Sequence, residues 1–319
     1  MQIVKNSPIH IAFCVNDGYV PYMLVSIRSI IDNNQSSIIC IHILTDYVSP
    51  QMQARIDNVV AGEHNVKYEI HIVSDDILKG LYLNHWAIYT WYRVVLPEIL
   101  PKDVHKVLYL DADTLILADL NSVMNTEMSG KAIAGATDVY NDTKFERLGY
   151  SKDKGYICAG VLLMNLDYWR KHDLTSELIK WAKEHESILR MPDQDTINVV
   201  CQDIKIILPL KYGIQKCFFI DEIYYKDQRF AQELRDCIEH PAIIHYAGSA
   251  PWYKEVAYNP FQKDWEDYNA KIHPPVKAMY LTKGWKRLKM HIWYAFHPNK
   301  RETIISKSEI LQKLTDNVV

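Results

Sequence analysis

Apolar runs and amphipathic segments follow each other in a regular order over the first 75 residues. Apolar or alternating stretches at residues 10–15, 38–44 and 66–72 predict three strands. Helical spacing of apolar residues from Leu24 to Ile31 predicts a helix after the first strand, and Pro50 begins a helix after the second. This order predicts a parallel sheet with crossover helices.

The same alternation of apolar strands and helices continues in the rest of the chain. Further strands are predicted at residues 107–110, 133–136, 156–165 and 241–246. A helix at residues 87–94 is closed by Pro97 and Pro101, and Asp173 caps another at residues 175–186. Pro192 opens a further helix. The chain therefore reads as α/β throughout.

Composition narrows the class of protein. The chain has 319 residues and a mass of 37.2 kDa, enough for one large domain or one domain with an appendage. Its net charge of -3 gives no global reason to expect nucleic acid as a partner. The six cysteines include no Cys-x-x-Cys pair, so a reducing, cytosolic setting is favoured. With no cleavable signal segment and no run of about 18 apolar residues, we expect a protein that is neither secreted nor membrane-spanning.

A pair of carboxylates, Asp111 and Asp113, follows the apolar strand VLYL directly. Two carboxylates this close can hold one hard cation, and such a cation can hold a diphosphate. The pattern alone decides little, because Asp193 and Asp195 repeat it at a helix start, where acids commonly compensate the helix dipole. In parallel sheets, however, ligands bind beyond the carboxyl ends of strands, and the Asn16 turn lies at such an end too. This agreement favours a ligand site.

Two further residues have open interpretations on sequence grounds alone. Arg93 lies in an apolar segment, where it is either a snorkelling surface residue or an anion ligand. Gly160 lies within a strongly apolar run, where it either lets a ligand approach the backbone or serves packing.

The C-terminal region differs in charge from the rest of the chain. From Tyr268 to Arg301 there is no acidic residue, and lysines and arginines are frequent. One helical face is formed, at spacings of four, three, four and four, by Leu281, Trp285, Leu288, Ile292 and Phe296. A basic, aromatic amphipathic helix is typical of a segment that binds an anionic membrane surface. The alternative is a helix that docks its apolar face on the domain.

Six segments of this chain, taken in order, carry a resemblance to a known family: HIAFCVNDGY, YRV, YLDADTL, CAGVLLMNL, PDQD and HYAGSAPW. Together they resemble the family 8 retaining glycosyltransferases of the GT-A fold, which include bacterial lipopolysaccharide galactosyl- and glucosyltransferases. The resemblance spans residues 9–252. It implies a Rossmann-like, mainly parallel central sheet flanked by helices, with a small, helical, basic C-terminal appendage.

The resemblance also implies roles for particular residues. Asp111, Asp113 and His245 match the ligands of Mn²⁺, with Mg²⁺ as the alternative ion. Contacts to the donor are implied for Cys14, Asn16, Tyr19, Arg93, Asp111, Ala112, Asp113, Ala159, Gly160 and Gly248. Asp138, Asp193 and Gln194 match positions that line the sugar and the reacting face. Gln194 is a poor nucleophile, so we expect attack on the same face of the sugar, with Gln194 steadying the sugar and Asp195 structural.

The chain departs from the family pattern at two places. Relatives commonly carry aspartate where Asn16 stands, although an amide oxygen can still accept the uracil N3–H. Many relatives carry lysine just before the Pro-Trp pair, where this chain has Ala250, and Lys254 is the candidate substitute. Both departures bear on donor binding.

The resemblance implies transfer of a hexose, galactose or glucose, from a UDP-sugar to a hydroxyl of a glycan acceptor, as in lipopolysaccharide or other surface-glycan synthesis. We expect a catalytic domain over residues 1–265 and a membrane-surface region over residues 266–319. The protein would be cytoplasmic, peripheral on the inner face of the plasma membrane.

Two other functions compete with this interpretation. A catalytically weak sugar-nucleotide-binding protein is favoured by the changes at Asn16 and Ala250. A haloacid-dehalogenase-type phosphohydrolase shares the Asp-x-Asp motif, but here Thr114 follows Asp113 one residue too soon.

Overall fold

The computed structural model describes residues 7–84, 87–138, 143–220, 228–248, 250–254, 259–280 and 307–316, together with 284–285, 288–289 and 292. The strands are β1 (Ile9–Cys14), β2 (Ile39–Thr45), β3 (Val66–Ile72), β4 (Lys106–Leu110), β5 (Thr114–Ile116), β6 (Ile133–Ala136), β7 (Val161–Asn165), β8 (Lys205–Leu208) and β9 (Ile243–His245). The helices are α1 (Val20–Asn33), α2 (Pro50–Val60), α3 (Tyr89–Tyr92), α4 (Leu96–Ile99), α5 (Asn121–Met124), α6 (Thr143–Leu148), α7 (Leu166–His172), α8 (Leu174–Glu184), α9 (Pro192–Val200), α10 (Cys217–Ile220), α11 (Gln228–Glu239), α12 (Gln262–Asn269) and α13 (Lys307–Asp316).

The central sheet has the strand order β3-β2-β1-β4-β7-β6-β8. All its neighbours pair in parallel except β7, which runs antiparallel to β4 and β6. The predicted α/β fold with a mainly parallel sheet is therefore confirmed. A separate antiparallel pair, β5 with β9, lies next to the Asp111 turn. The chain moves outward from β1 to β2 and β3 before β4 returns to the other side of β1. This change of direction creates a crevice between β1 and β4.

Hydrophobic residues cover both faces of the sheet. Successive side chains of β1 point to opposite faces, so Ile11 and Phe13 join one buried cluster, while Ala12 and Cys14 join another. The first cluster contains the buried face of α1 and also Ile310 and Leu314 of α13. At least this last described helix therefore docks on the sheet domain.

Some local predictions were wrong, and tertiary contacts explain why. Pro97 does not close the segment after residue 87: it lies in the first turn of α4, where a proline removes no helical hydrogen bond. The helical stretch ends instead at Ile99, directly before Leu100 and Pro101, the other proline predicted to close it. Asp173 occupies the N-cap position of α8, as predicted, but its side chain makes no capping hydrogen bond to the backbone. Its backbone is left-handed (φ 49°), because it joins α7 directly to α8. Only residues 161–165 of the predicted strand at 156–165 form a strand, β7. Before it, Ile157 makes only an isolated bridge with Thr137.

The C-terminal region is described in part. Trp285, Leu288 and Ile292 are 78%, 48% and 49% exposed, respectively. Leu281 and Phe296, the outer positions of the predicted apolar face, lie outside the described residues. No helix in the described parts of the chain is long and apolar enough to cross a membrane.

Candidate active site

The candidate site lies at the carboxyl ends of β1 and β4. These strands are parallel neighbours, with Ile11 opposite Leu108 and Ala12 opposite Tyr109. Cys14 and Asp111 each lie two residues after the second of these pairs, so they reach the same edge of the sheet. This edge is also the point where the strand order changes direction, which is where α/β sheets bind ligands.

Asp111, Asp113 and His245 converge here, as predicted. His245 Nε2 lies 3.6 Å from an oxygen of Asp111 and 3.4 Å from an oxygen of Asp113. The pairing of Thr114 with His245 in the β5–β9 ribbon brings the late histidine to the early carboxylates. One ligand atom from each side chain lies within 4.8 Å of the others. Ligands about 2.1 Å from an octahedral cation lie about 3 Å apart, so small adjustments would let these three hold one divalent ion.

Burial and mutual attraction act in opposite directions on the charges of this trio. Burial opposes charge on His245, yet Cys158 and Asp113 together raise the pKa of His245 well above its usual value. Burial likewise opposes charge on Asp113, but the imidazole of His245 lowers the pKa of Asp113. The two carboxylates therefore favour positive charge at this position.

Gly160 makes room for the imidazole. A Cβ atom built on Gly160 would lie 2.1 Å from Cε1 of His245. The Gly160 carbonyl also accepts a hydrogen bond of 2.8 Å from the backbone N–H of Asp111. The space beside Gly160 is therefore filled by the His245 side chain. Of the two interpretations open on sequence grounds, the packing of a neighbouring side chain explains this glycine.

Arg93 lies between Asp111 of the carboxylate pair and Asp193 at the start of α9. Its guanidinium is only 4% exposed and lies 3.0 Å from Asp111 Oδ1 and 3.3 Å from Asp193 Oδ2. It also donates to the carbonyl of Ala159 and stacks 4.5 Å from the ring centroid of Tyr109. Burial alone would lower the pKa of Arg93, but Asp111 and its other neighbours raise it further above its ordinary value. A permanent positive charge thus faces the carboxylate pair.

Gln194 is held at both ends of its side chain. Its Oε1 accepts from the backbone N–H of Ala159 at 2.7 Å, and its Nε2 donates to Asp138 Oδ2 at 2.7 Å. Asp193, its neighbour in the first turn of α9, is buried, and burial raises the pKa of Asp193 despite the attraction of Arg93. The three predicted sugar-side residues therefore lie together around the Ala159 backbone.

Asp195 has a different environment from the other acids. It is fully buried and accepts two hydrogen bonds from the guanidinium of Arg147, at 2.9 and 3.0 Å. It also accepts from the Tyr156 hydroxyl at 2.7 Å and from the backbone N–H of Arg190 at 2.7 Å. These contacts fit the structural role predicted for Asp195.

The donor-side residues lie around the turn after β1. The side-chain oxygen of Asn16 accepts from the backbone N–H of Tyr19 at 3.0 Å, which caps the turn Asp17–Tyr19. Cys14 is buried beside this turn, and burial raises the pKa of its thiol above the usual range. Tyr19 is 47% exposed, with its ring edge toward Trp252 at a centroid distance of 6.5 Å. An exposed aromatic ring at the crevice is suited to stack on a base.

The remaining predicted residues are placed as follows. Ala112 is buried between the two carboxylates. Gly248 has a left-handed backbone (φ 68°), and open space surrounds the position of its missing Cβ. Lys254 is exposed; its ammonium lies 4.8 Å from the ring centroid of Tyr280, and its backbone N–H donates to Met279. The contacts of Lys254 are thus with the chain that follows, not with the carboxylate pair.

Two residues at the site were not predicted. Tyr109 donates a hydrogen bond from its hydroxyl to Asp111 Oδ1. Strand periodicity could have found it, because residues 109 and 111 lie on the same side of an extended chain. Cys158 Sγ lies 3.4 Å from Nδ1 of His245, and no sequence signal marks a contact between residues 87 positions apart.

The sequence profile of "Glycosyl transferase family 8" matches residues 10–255. The chain is 24% identical over 295 residues to the lipopolysaccharide 1,2-glucosyltransferase of Escherichia coli, covering 90% of this chain and 82% of that protein. It is 24% identical over 264 residues to the lipopolysaccharide 1,3-galactosyltransferase of Salmonella typhimurium, covering 78% of this chain and 74% of that protein.

A solved structure, the galactosyltransferase LgtC in complex with donor and acceptor sugar analogs, has a similar fold. Its TM-score is 0.73 at 22% identity, and the match covers 88% of this chain and 99% of that one. The likeness supports the GT-A fold.

Proposed function

This chain belongs to glycosyl transferase family 8, and we propose that it transfers a hexose, galactose or glucose, from a UDP-sugar to a hydroxyl of a glycan acceptor. The observation that carries this proposal is the convergence of Asp111, Asp113 and His245 beside the buried Arg93. Relatives named as glucosyl- and galactosyltransferases of lipopolysaccharide support the two hexoses and a surface glycan as acceptor. Family membership removes the phosphohydrolase alternative.

The proposed metal site would hold Mn²⁺, with Mg²⁺ as the alternative, on Asp111, Asp113 and His245. Two carboxylates and one imidazole, with their ligand atoms within 4.8 Å of each other, fit such an ion. The bound ion would neutralise negative charge on the leaving diphosphate. Tyr109 and Arg93 both bind one oxygen of Asp111, which orients its other oxygen toward His245.

The UDP moiety would bind in the crevice between Cys14, Ala112 and Gly248. Tyr19 would stack on the uracil, and Asn16 would accept its N3–H through the second lone pair of the oxygen that caps the turn. Arg93 would contact the donor near the phosphates, and the open backbone at Gly248 allows close approach. Lys254 would have to leave Tyr280 to reach the diphosphate.

The sugar would lie on Asp138, Asp193, Gln194 and the Ala159–Gly160 backbone. We propose retention because the family resemblance implies it. A covalent intermediate on Gln194 is disfavoured, because its amide is a poor nucleophile and both its ends are already hydrogen-bonded. We therefore propose attack by the acceptor on the same face of the sugar, through a short-lived oxocarbenium-like pair. Asp138 and Asp193 would bind sugar hydroxyls and orient the donor.

The C-terminal region would hold the enzyme at its acceptor. Trp285, Leu288 and Ile292 are exposed at spacings of three and four residues, in a stretch without acidic residues. We propose that residues 266–319 bind the anionic inner face of the plasma membrane, with residues 1–265 as the catalytic domain in the cytoplasm.

The decisive experiment measures UDP release from UDP-galactose and UDP-glucose, with Mn²⁺ or chelator and with or without glycan acceptors. We expect metal-dependent turnover with one of the two donors, and a loss of about 100-fold or more in the Asp111→Asn protein. Full Mn²⁺-dependent turnover by that variant would refute the proposed site. Ligand-dependent stabilisation without turnover would favour the sugar-nucleotide-binding alternative.

The product also tests the stereochemistry. Nuclear magnetic resonance of the first-formed glycoside should show the anomeric configuration of the donor. An inverted product would refute retention while leaving sugar transfer intact.

A further inference from the structure

A second group of titratable side chains lies away from the candidate active site, on the three strands at one edge of the sheet. His10 Nδ1 is 2.9 Å from His42 Nε2, and His42 Nδ1 is 3.1 Å from His71 Nε2. The three imidazoles thus form a hydrogen-bonded row across β1, β2 and β3. His10 precedes Cys14 on the same strand by four residues, about 13 Å of extended chain, so this row is distinct from the site at the strand ends.

Glu69 completes the group. It lies opposite His42 in the register of β2 and β3, and its Oε2 is 3.8 Å from His42 Nδ1 and 3.9 Å from His71 Nε2. We propose that His42, Glu69 and His71 form a second metal site, for a Zn²⁺-class transition-metal ion, which ties the edge strand β3 to β2.

The distances suit a tetrahedral ion. Ligands at 2.0–2.1 Å from zinc lie about 3.3 Å apart, and the two nitrogens and the carboxylate oxygen here are separated by 3.1 to 3.9 Å. Glu69 is 46% exposed, so a small rotation of its side chain can shorten the longer two distances. Three protein ligands leave one position for water. Because Glu69 and His71 reach solvent, an ion has an entry path.

His10 acts as a positioning residue for this site. A metal-binding imidazole commonly donates its other N–H to a neighbour, which fixes its orientation and leaves the lone pair free. If His42 donates from Nε2 to His10 Nδ1, its Nδ1 points at His71 and Glu69 with a free lone pair.

The ligand set distinguishes this site from the one at the strand ends. Two imidazoles and one carboxylate favour zinc and related ions, whereas two carboxylates and one imidazole tolerate Mn²⁺ or Mg²⁺. Lys67 opposes binding, because its ammonium lies 3.9 Å from the other oxygen of Glu69 and shares that carboxylate. The Lys67→Met protein should therefore bind the ion more tightly.

The test uses full-length protein with Asp111→Asn and Asp113→Asn, which removes the first candidate site and makes the result independent of the proposed function. After chelator treatment, equilibrium dialysis should show one equivalent of Zn²⁺, and Co²⁺ should give the visible absorption of a tetrahedral site. Adding His71→Ala should weaken binding at least tenfold, and adding His10→Ala should weaken it about tenfold with the stoichiometry kept. His105→Ala is the matched control, because His105 pairs with a carboxylate, Asp167, at an exposed position.

The proposal is overturned if the doubly substituted protein shows no saturable Zn²⁺ binding, or if His71→Ala leaves the affinity unchanged. Circular dichroism checks that each variant is folded. Should His71→Ala unfold, Glu69→Gln at its exposed position takes its place, with the same tenfold loss expected. Equal losses in His105→Ala and His71→Ala would also overturn it, since binding would then not depend on the row.

Discussion

The same short pattern, two aspartates one residue apart, has two different environments in this molecule. Asp111 and Asp113 are about one-quarter exposed and face an imidazole. Asp195 is fully buried and is satisfied by a guanidinium, a phenol and backbone N–H groups. At the scale of single residues, exposure and hydrogen-bond partners therefore decide whether an aspartate is available to a ligand or stabilises the fold. The Asp-x-Asp motif alone does not distinguish these two roles.

This contrast gives a paired prediction. Asp113→Asn should weaken Mn²⁺ binding at least tenfold with little change in stability, because it removes a partly exposed ligand. Asp195→Asn should keep Mn²⁺ binding but lower the free energy of unfolding by about 2–4 kcal/mol, because the Arg147 ion pair is broken in a buried setting. Isothermal titration with Mn²⁺ and urea unfolding of both variants measure the two effects. Metal loss in the Asp195 variant at full stability would contradict the assignment.

A second prediction concerns Gly160. The methyl group of Gly160→Ala would lie 2.1 Å from His245 Cε1, so the imidazole must leave its place. We expect a loss of Mn²⁺ affinity about as large as that of His245→Ala, again tenfold or more. The double variant should lose no more than either single variant, since both act on one ligand. Additive losses in this cycle would show that Gly160 has another role.

At the scale of elements, the start of a helix was predicted correctly where a capping residue and a proline stood together. Ser49 caps α2 and Pro50 occupies its first turn, so the helix begins at residue 50 as predicted. Pro97 and Asp173 gave equally plausible local signals, but their neighbours along the chain decided the outcome. A proline is tolerated in a first turn, and an aspartate can adopt left-handed geometry between two packed helices.

The candidate site was predictable to a similar degree. Strand order and strand ends placed Asn16 and Asp111 at one edge without further knowledge. The roles of Arg93 and His245 came from the family resemblance, because a contact between distant elements has no local periodicity. Cys158 was missed for the same reason: its neighbour His245 is 87 residues away.

The buried lysine of β8 gives a prediction about pH. The ammonium of Lys205 is 3.2 Å from two oxygens of Asn198, and burial lowers the pKa of Lys205 to about 8 from 10.5. Between these values the unfolded chain binds more protons than the folded chain, so the free energy of unfolding should rise with pH. The rise should total about 2–3 kcal/mol.

Urea unfolding at intervals from pH 7 to pH 10.5 measures this dependence. Lys205→Met should remove the rise, whereas Lys180→Met, at a side chain 75% exposed, should keep it. The same slope in wild type and Lys205→Met would show that other groups cause the dependence.

At the scale of the whole molecule, the C-terminal region has one segment packed on the sheet domain and another with exposed apolar side chains. Ile310 and Leu314 of α13 are buried in the cluster that also contains α1, so deleting the whole region would damage the fold. Trp285, Leu288 and Ile292 are instead exposed. Membrane binding is therefore better tested by substituting the exposed residues than by truncation.

We predict that a protein with Trp285→Ser, Leu288→Ser and Ile292→Ser binds anionic vesicles at least tenfold more weakly than wild type, with unchanged thermal stability. The reason is the loss of three apolar side chains that would enter the lipid interface. Co-sedimentation with phosphatidylserine-containing and neutral vesicles measures it, and Ile72→Ser, at an exposed strand position, is the control. Equal binding by the triple variant would place the membrane contact elsewhere.

The short β5–β9 ribbon has a consequence for how the protein is made. A nascent chain that has left the ribosome only as far as residue 240 contains Asp111 and Asp113 but not His245. In that chain β5 lacks the partner that it has in the described structure, since Leu115 and Ile116 pair with Ile244 and Ile243, which have not yet emerged. Such an open edge invites chaperones or aggregation, so the interval before β9 emerges is the vulnerable stage of biosynthesis.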